Sequence, residues 1–202
     1  MRQRNLSKLL GLIVACAMMS APMAFANQDT KPVNVAEKQG GGIVGKPTTS
    51  DKVLIVMGSE SDRAVMSETQ KWLNWFGIPN DLVITSVHRT PDLVRSVVGG
   101  ADKQGYKVVV AGAGMAAHLP GMSAAFTTLP VLGVPLEGGL PGGVDALYSV
   151  VQMPSGVPVG TFAVGKAGAR NAAVMSARIL ALNNPQVAQR LEVLKQNQYK
   201  IE

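Results

Sequence analysis

Residues 52–77 read KVLIVMGSESDRAVMSETQKWLNWFG, and a change of rhythm inside this stretch decides the fold. Val53 to Met57 is an unbroken apolar run of strand length, the pattern of a strand covered on both faces. From Ser61 to Phe76 the apolar residues Val65, Met66, Leu73 and Phe76 fall at helical spacing, and Gly77 stops the helix. A buried strand that runs through a short Gly-Ser loop into an amphipathic helix is the opening unit of an α/β fold.

The same alternation continues downstream. Further strands are predicted at Leu82 to Val87, Lys107 to Ala111, Val131 to Leu136 and Val159 to Val164. Thr90-Pro91-Asp92 opens a helix, with Thr90 as cap, Pro91 in the first turn and Asp92 complementing the dipole. Gly99-Gly100 weakens that helix near its end. Other helices are predicted shortly after Pro120, from Val144 to Gln152, from Ala169 to Leu182 and from Pro185 onward. Alternation at this spacing predicts a parallel sheet with helices on both faces, forming a domain over 52–183 and a C-terminal helix over 184–202.

The first 26 residues read as a secretory signal. Arg2, Arg4 and Lys8 precede the apolar stretch Leu9 to Met19, and Ala24-Phe25-Ala26 is a small-x-small cleavage site. The apolar stretch is too short for a membrane span of about 20 residues. Ile13-Val14-Ala15-Cys16 loosely resembles a lipoprotein processing site, an alternative in which Cys16 is lipidated; the apolar residues after Cys16 favour cleavage after Ala26. Residues 27–51, with Lys, Gln, Thr, Pro and Gly40-Gly41-Gly42, read as a flexible linker. The expected location is therefore exported, periplasmic or secreted, and cytoplasmic only if the leader is not used.

Composition narrows the chemistry. Half of the net charge of +6 comes from Arg2, Arg4 and Lys8, and no Lys/Arg stripe with interleaved aromatics follows, so no nucleic-acid partner is expected. The one cysteine, Cys16, lies in the leader, which leaves a processed chain without a thiolate nucleophile. His88 and His118 are the two histidines, with no HxxE or HxxxH spacing, so no metal site is expected. No GxSxG elbow occurs. Gly112-x-Gly114-x-x-Ala117 resembles a dinucleotide fingerprint but follows the third strand rather than the first, so no nicotinamide cofactor is expected.

In folds of this class ligands bind beyond the carboxyl ends of the strands. The first such end carries Gly58-Ser59-Glu60-Ser61-Asp62, where a tight turn, hydroxyl donors and a helix start suit a phosphate or serve as plain capping by Ser61 or Asp62. The second carries Ser86-Val87-His88-Arg89-Thr90, with a guanidinium fork matched to phosphate and an imidazole suited to proton transfer. The third carries Gly112 to His118. Both histidines and the Gly-Ser loop thus sit at strand ends, which points to one shared site.

At these loops the sequence resembles the PurE family, whose bacterial members are 5-(carboxyamino)imidazole ribonucleotide mutases. The resemblance runs from about Val53 to Leu182 and rests on MGSESD (57–62), SVHRTPD (86–92), AGAGMAAHLPGM (111–122), VLGVP (131–135), GVDALYSVVQMPSGVPVGT (143–161) and GKAGARNAA (165–173). It implies a flavodoxin-like three-layer αβα sandwich with a five-stranded parallel sheet, assembled as a homo-octamer with sites shared between subunits. It also implies a cofactor-independent isomerase acting on a small phosphorylated ribonucleotide, moving a carboxyl group from the exocyclic nitrogen to carbon 4 of the imidazole ring. By position in the family's motifs, His88 is the expected general acid/base, and Ser59, Ser61, Asp62, Ser86, Arg89 and His118 are the expected substrate-binding residues.

Three positions depart from the family pattern. Glu60 stands where the family has lysine, Met115 where it has glycine, and Glu137-Gly138-Gly139-Leu140-Pro141-Gly142-Gly143 where it has a Gln-Ser-x-x-Leu-Ser-Gly loop that closes over substrate. The rewritten loop and the leader leave room for an exported paralogue that binds a nucleotide without turnover, or for an enzyme acting on a different carboxylated heterocycle.

Overall fold

The computed structural model describes residues 49–201. The expected signal segment, and residues 27–48 of the expected linker, lie outside the described residues.

Five parallel strands, β1 (Lys52–Met57), β2 (Asn80–Ile84), β3 (Tyr106–Gly114), β4 (Val131–Leu136) and β5 (Gly160–Thr161), form one sheet in the order β2-β1-β3-β4-β5. Six α-helices connect and follow them: α1 (Arg63–Phe76), α2 (Pro91–Gly99), α3 (His118–Phe126), α4 (Val144–Val151), α5 (Lys166–Ala181) and α6 (Pro185–Gln196). Successive strand residues face opposite layers. Val53, Ile55 and Met57 of β1 join Met66, Leu73 and Phe76 of α1, the buried alanines of α5, and Val187 and Leu194 of α6 in one core. Leu54 and Val56 join Val94, Val97 and Val98 of α2, Leu119 of α3, and Ala146 and Val150 of α4 in the other. This is the three-layer αβα arrangement that the strand–helix alternation predicts.

Three boundaries differ from expectation, each for a stated reason. β2 starts and ends earlier than its apolar content suggests, because its register is set by β1 from Val53↔Asn80 to Met57↔Ile84. Thr85 N then donates to Met57 O at 2.8 Å and the chain leaves the sheet. β3 runs on through Gly112 and Gly114, which pair with Val134 and Leu136 of β4. The glycines that imitate a dinucleotide fingerprint are therefore strand residues, not a phosphate-cradling turn. β5 is two residues long rather than six. Phe162 N and Gly165 N donate to the carbonyls of Gly133 and Pro135. Pro135 has no amide proton with which to extend the ladder on that side.

Helix starts also shift. α3 begins at His118, so Pro120 falls in its first turn, where a missing amide proton costs nothing. Thr90 occupies the N-cap position of α2, but its hydroxyl makes no cap bond and is used elsewhere. Gly100 has a packing explanation, since a Cβ there would lie 3.0 Å from the carbonyl oxygen of Ser96; one on Gly99 would meet the Phe126 carbonyl at 3.4 Å, an ordinary contact.

Small residues let α5 lie flat on the sheet. Gly168, Ala169, Ala172, Ala173 and Ala177 are buried, and Thr69 Oγ1 of α1 donates to the carbonyl of Ala169 at 3.0 Å. A Cβ on Gly168 would lie 2.8 Å from the carbonyl carbon of Ala163, closer still to its oxygen, and 3.3 Å from Val134 Cγ1. Backbone rather than a flexible side chain blocks it, so relief requires moving α5. Gly168→Ala should lower the unfolding free energy by about 2–3 kcal/mol, as overpacked cores do, read from urea denaturation. Wild-type stability in that variant would refute the close-approach argument.

Candidate active site

The strand order places β1 between β2 and β3, so the chain leaves β1 and returns on opposite sides of it. At such a switch point the loops beyond the carboxyl ends diverge and leave a crevice. Here the loops after β1, β2 and β3 surround a cleft of about 160 Å³ lined by Ser59, Asp62, Ser86, His88, Arg89 and His118, together with Met115. Six of the seven residues singled out from the sequence thus share one cavity. Ser61 does not line it; its hydroxyl donates to Asp62 Oδ1 at 3.4 Å.

The first wall is a self-capped turn. Ser61 N donates to Ser59 Oγ at 3.4 Å, and Ser59 N donates to Asp62 Oδ2 at 3.1 Å, a reciprocal box closing a one-turn 3-10 helix over Glu60–Asp62. Capping is therefore present but comes from Ser59 rather than from the expected Ser61 or Asp62, since Asp62 stands at the N-cap of α1 without a side-chain cap bond; both Ser59 and Asp62 also face the cleft. Partial burial raises the Asp62 carboxyl above its ordinary value, against the opposing effect of hydrogen bonds from Ser59, Ser61 and Gly58. Glu60 points away into an ion pair with Arg63, whose Nη2 lies 2.9 Å from Glu60 Oε2 and whose Nε contacts Oε1. The charge that departs from the family pattern is thus matched by a cation one turn on.

The second wall is the turn bearing His88. Thr90 closes it: its amide donates to Ser86 O at 2.7 Å, its hydroxyl donates to the same carbonyl at 3.0 Å, and it accepts from Ser86 N at 3.2 Å. This use of the hydroxyl explains why Thr90 does not cap α2. His88 and Arg89 lie at the exposed tip, and the Arg89 guanidinium has no hydrogen-bond or ion-pair partner among the described residues.

The third wall comes from β3. Gly114 accepts from Ala117 N at 3.0 Å, and Met115 and Ala117 take positive φ values of 57° and 27°. The turn carries His118 to His88, with His88 Nε2 and His118 Nδ1 2.7 Å apart and the rings at 75°. One proton between these nitrogens makes the contact; two would set N–H donors face to face. The pair also borders a second, more apolar trough of about 590 Å³ that includes Met122, Ser149, Met153 and Val157, none of which the sequence reading singled out.

The 137–143 loop stands beside this wall without lining the cleft. Asp145 anchors it, its Oδ2 accepting from Leu140 N at 3.1 Å while its buried Oδ1 has no partner among the described residues. A Cβ on Gly139 would collide with that carboxylate, so glycine at 139 belongs to the anchor. Asp145 sits in the quoted GVD motif, and its place in the first turn of α4 was the available signal.

The state of Asp62 has a testable consequence. Because burial penalises its ionised form, Asp62 costs nothing in acid, and its cost grows as pH rises through the ordinary carboxylate range into the raised one. Asp62→Asn keeps an acceptor for Ser59 N without the charge. Its stability relative to wild type should improve as pH rises from about 3 past the ordinary carboxylate value of about 4, measured by urea unfolding over a pH series. A gap that narrows toward neutrality would contradict the assignment.

Comparison with known proteins agrees with this geometry. Residues 52–200 match the AIR carboxylase family. Proteins named N5-carboxyaminoimidazole ribonucleotide mutase are similar throughout the domain. That of Escherichia coli is 52% identical over 140 residues, covering 69% of this chain and 83% of its own length. That of Pseudomonas aeruginosa is 51% identical over 144 residues, covering 71% and 88%. Among solved structures, PurE of Treponema denticola superposes with a TM-score of 0.65 at 25% identity, covering 73% of this chain and 91% of that one. With a family match across most of its length and relatives at about half identity, the chain belongs to the AIR carboxylase family.

Proposed function

We infer that the chain is an N5-carboxyaminoimidazole ribonucleotide mutase of purine biosynthesis, an isomerase that moves a carboxyl group within one small phosphorylated ribonucleotide. The observation that carries this reading is the His88–His118 contact at the β1/β3 crevice, in a chain whose relatives at about 50% identity bear that name.

The reaction balances without an outside reagent. The carbamate C–N bond breaks, carbon dioxide leaves, and the exocyclic nitrogen gains a proton. Ring carbon 4 then bonds to the carbon of carbon dioxide and gives up its hydrogen as a proton. His88 is the general acid/base, and His118, 2.7 Å away, holds or returns the proton its partner exchanges. Arg89 offers its unpaired fork to the phosphate. Asp62 accepts from the ribose hydroxyls, with Ser59 and Ser86 as donors beside it. Ser61 acts through Asp62. The chemistry draws on proximity inside a closed site, which keeps carbon dioxide next to the ring.

The assembly belongs to the same reading. The exposed apolar residues Val144, Tyr148 and Val151 follow one face of α4, and the cleft is open at its rim, which supports self-association with sites completed between subunits; that the assembly is a homo-octamer rests on the family resemblance. The leader supports export. An exported protein would not ordinarily meet a carbamate made with ATP in the cytoplasm, so location decides which substrate pool the enzyme uses.

His88→Asn should lose about 10²–10⁴-fold in turnover while still binding nucleotide, measured by formation of 4-carboxy-5-aminoimidazole ribonucleotide; unchanged turnover would remove His88 from the chemistry. The leaderless domain should restore growth to a purine auxotroph lacking the mutase. Binding without turnover or rescue would instead support a nucleotide-binding paralogue, and cell fractionation reads the location directly.

A further inference from the structure

Met115 is a side chain that folding alone does not explain. It is 60% exposed, and its φ of 57° lies in the left-handed region where glycine would sit with less strain. Large apolar residues gain nothing from such a position by burial. The strained turn is nevertheless held firmly, by the Ala117 N to Gly114 O bond, by burial of Ala117, and by Gly114 lying against the Leu136 carbonyl. Strain kept in place at the rim of a cavity points to use.

Its surroundings show what that use is. Met115 lines the cleft, whereas no residue of the 137–143 loop does. A Cβ on Gly138 would lie 3.9 Å from Met115 Cγ, and one on Gly139 3.5 Å from Met115 Cα. Position 139 has no space for a side chain because the Asp145 carboxylate fills it. Met115 therefore stands between the loop and the cleft.

We propose that Met115 is a specificity-determining residue of this site, an apolar wall that both props the 137–143 loop and receives the flat heterocycle of the bound nucleotide. The identity of the ligand rests on the mutase reading; the prop does not. Sulfur packs favourably against aromatic rings, and its worth is a several-fold effect on affinity rather than on the chemical step. The wall selects ligands that turn an uncharged ring toward β3 and places charged groups on the opposite side, near Arg89.

The test compares Met115→Gly and Met115→Leu with wild type in the full chain. Met115→Gly should melt at or above the wild-type temperature, since it relieves the positive φ. Without ligand, amide hydrogen exchange over 138–140 should quicken in Met115→Gly and stay near wild type in Met115→Leu. With the carboxylated ribonucleotide, Met115→Gly should raise KM about two- to tenfold, with kcat changed less. Binding of 5-aminoimidazole ribonucleotide should weaken in parallel. Unaltered KM and exchange in Met115→Gly, or a loss confined to kcat, would overturn the proposal. If wild type neither binds nor converts the nucleotide, the mutase reading falls and the exchange result alone decides the prop. If wild type turns over normally and Met115→Gly matches it in every respect, the wall falls and the mutase reading stands.

Discussion

Parallel pairing of β1 with β3, from Val53↔Val108 to Met57↔Gly112, is the constraint from which the rest of the molecule follows. It obliges the chain to place β2 on the other side of β1, so two loops leave the same sheet end in opposite directions. The apolar strands that make this pairing are fully buried and need no polar partner of their own. Their cost in design is borne by the helices, which must cover both faces, and α5 does so with alanine and glycine in place of larger side chains. A crevice at the sheet's end is then a geometric by-product of the topology, available for polar residues that the core cannot use.

What fills the crevice depends on short-range devices. Thr90 spends its hydroxyl on Ser86 to lock the His88 turn, and Asp62 spends a carboxylate oxygen on Ser59 to lock the first loop. Each lock holds a reactive residue on backbone that would otherwise be a loose loop, which is how a site gains precision without lying inside the core. The two imidazoles meet because the turn that Thr90 locks and the turn after β3 agree in position, not because either loop alone is special.

Much of this was legible in the sequence, since strand ends, helix starts and family motifs are local properties. What was not legible depended on partners distant along the chain. Asn80 and Asp81 lie before the predicted strand, yet they pair with Val53 and Leu54 of β1, and Asp81 accepts from the Tyr106 hydroxyl, so both sit in β2. Val159 to Val164 read as a full strand on apolar content, and the proline of the neighbouring strand cut it short. Glu60 stood out as a charge reversal, while its match with Arg63 was within reach of the ordinary i, i+3 rule. Met115 was visible as an anomaly, but its nearness to the 138–139 segment follows from the register that sets Gly114 beside Leu136.

Truncation of β5 matters beyond the count of strands. An open sheet normally ends in a row of unanswered amides and carbonyls that can recruit a foreign strand. Here the outermost strand offers only Gly160 and Thr161 before the chain turns off into helix, and the next carbonyl inward is already claimed by Gly165. The missing hydrogen on one proline thus acts as a guard against templated aggregation at this edge, leaving β2 at the opposite side as the longer run of main chain.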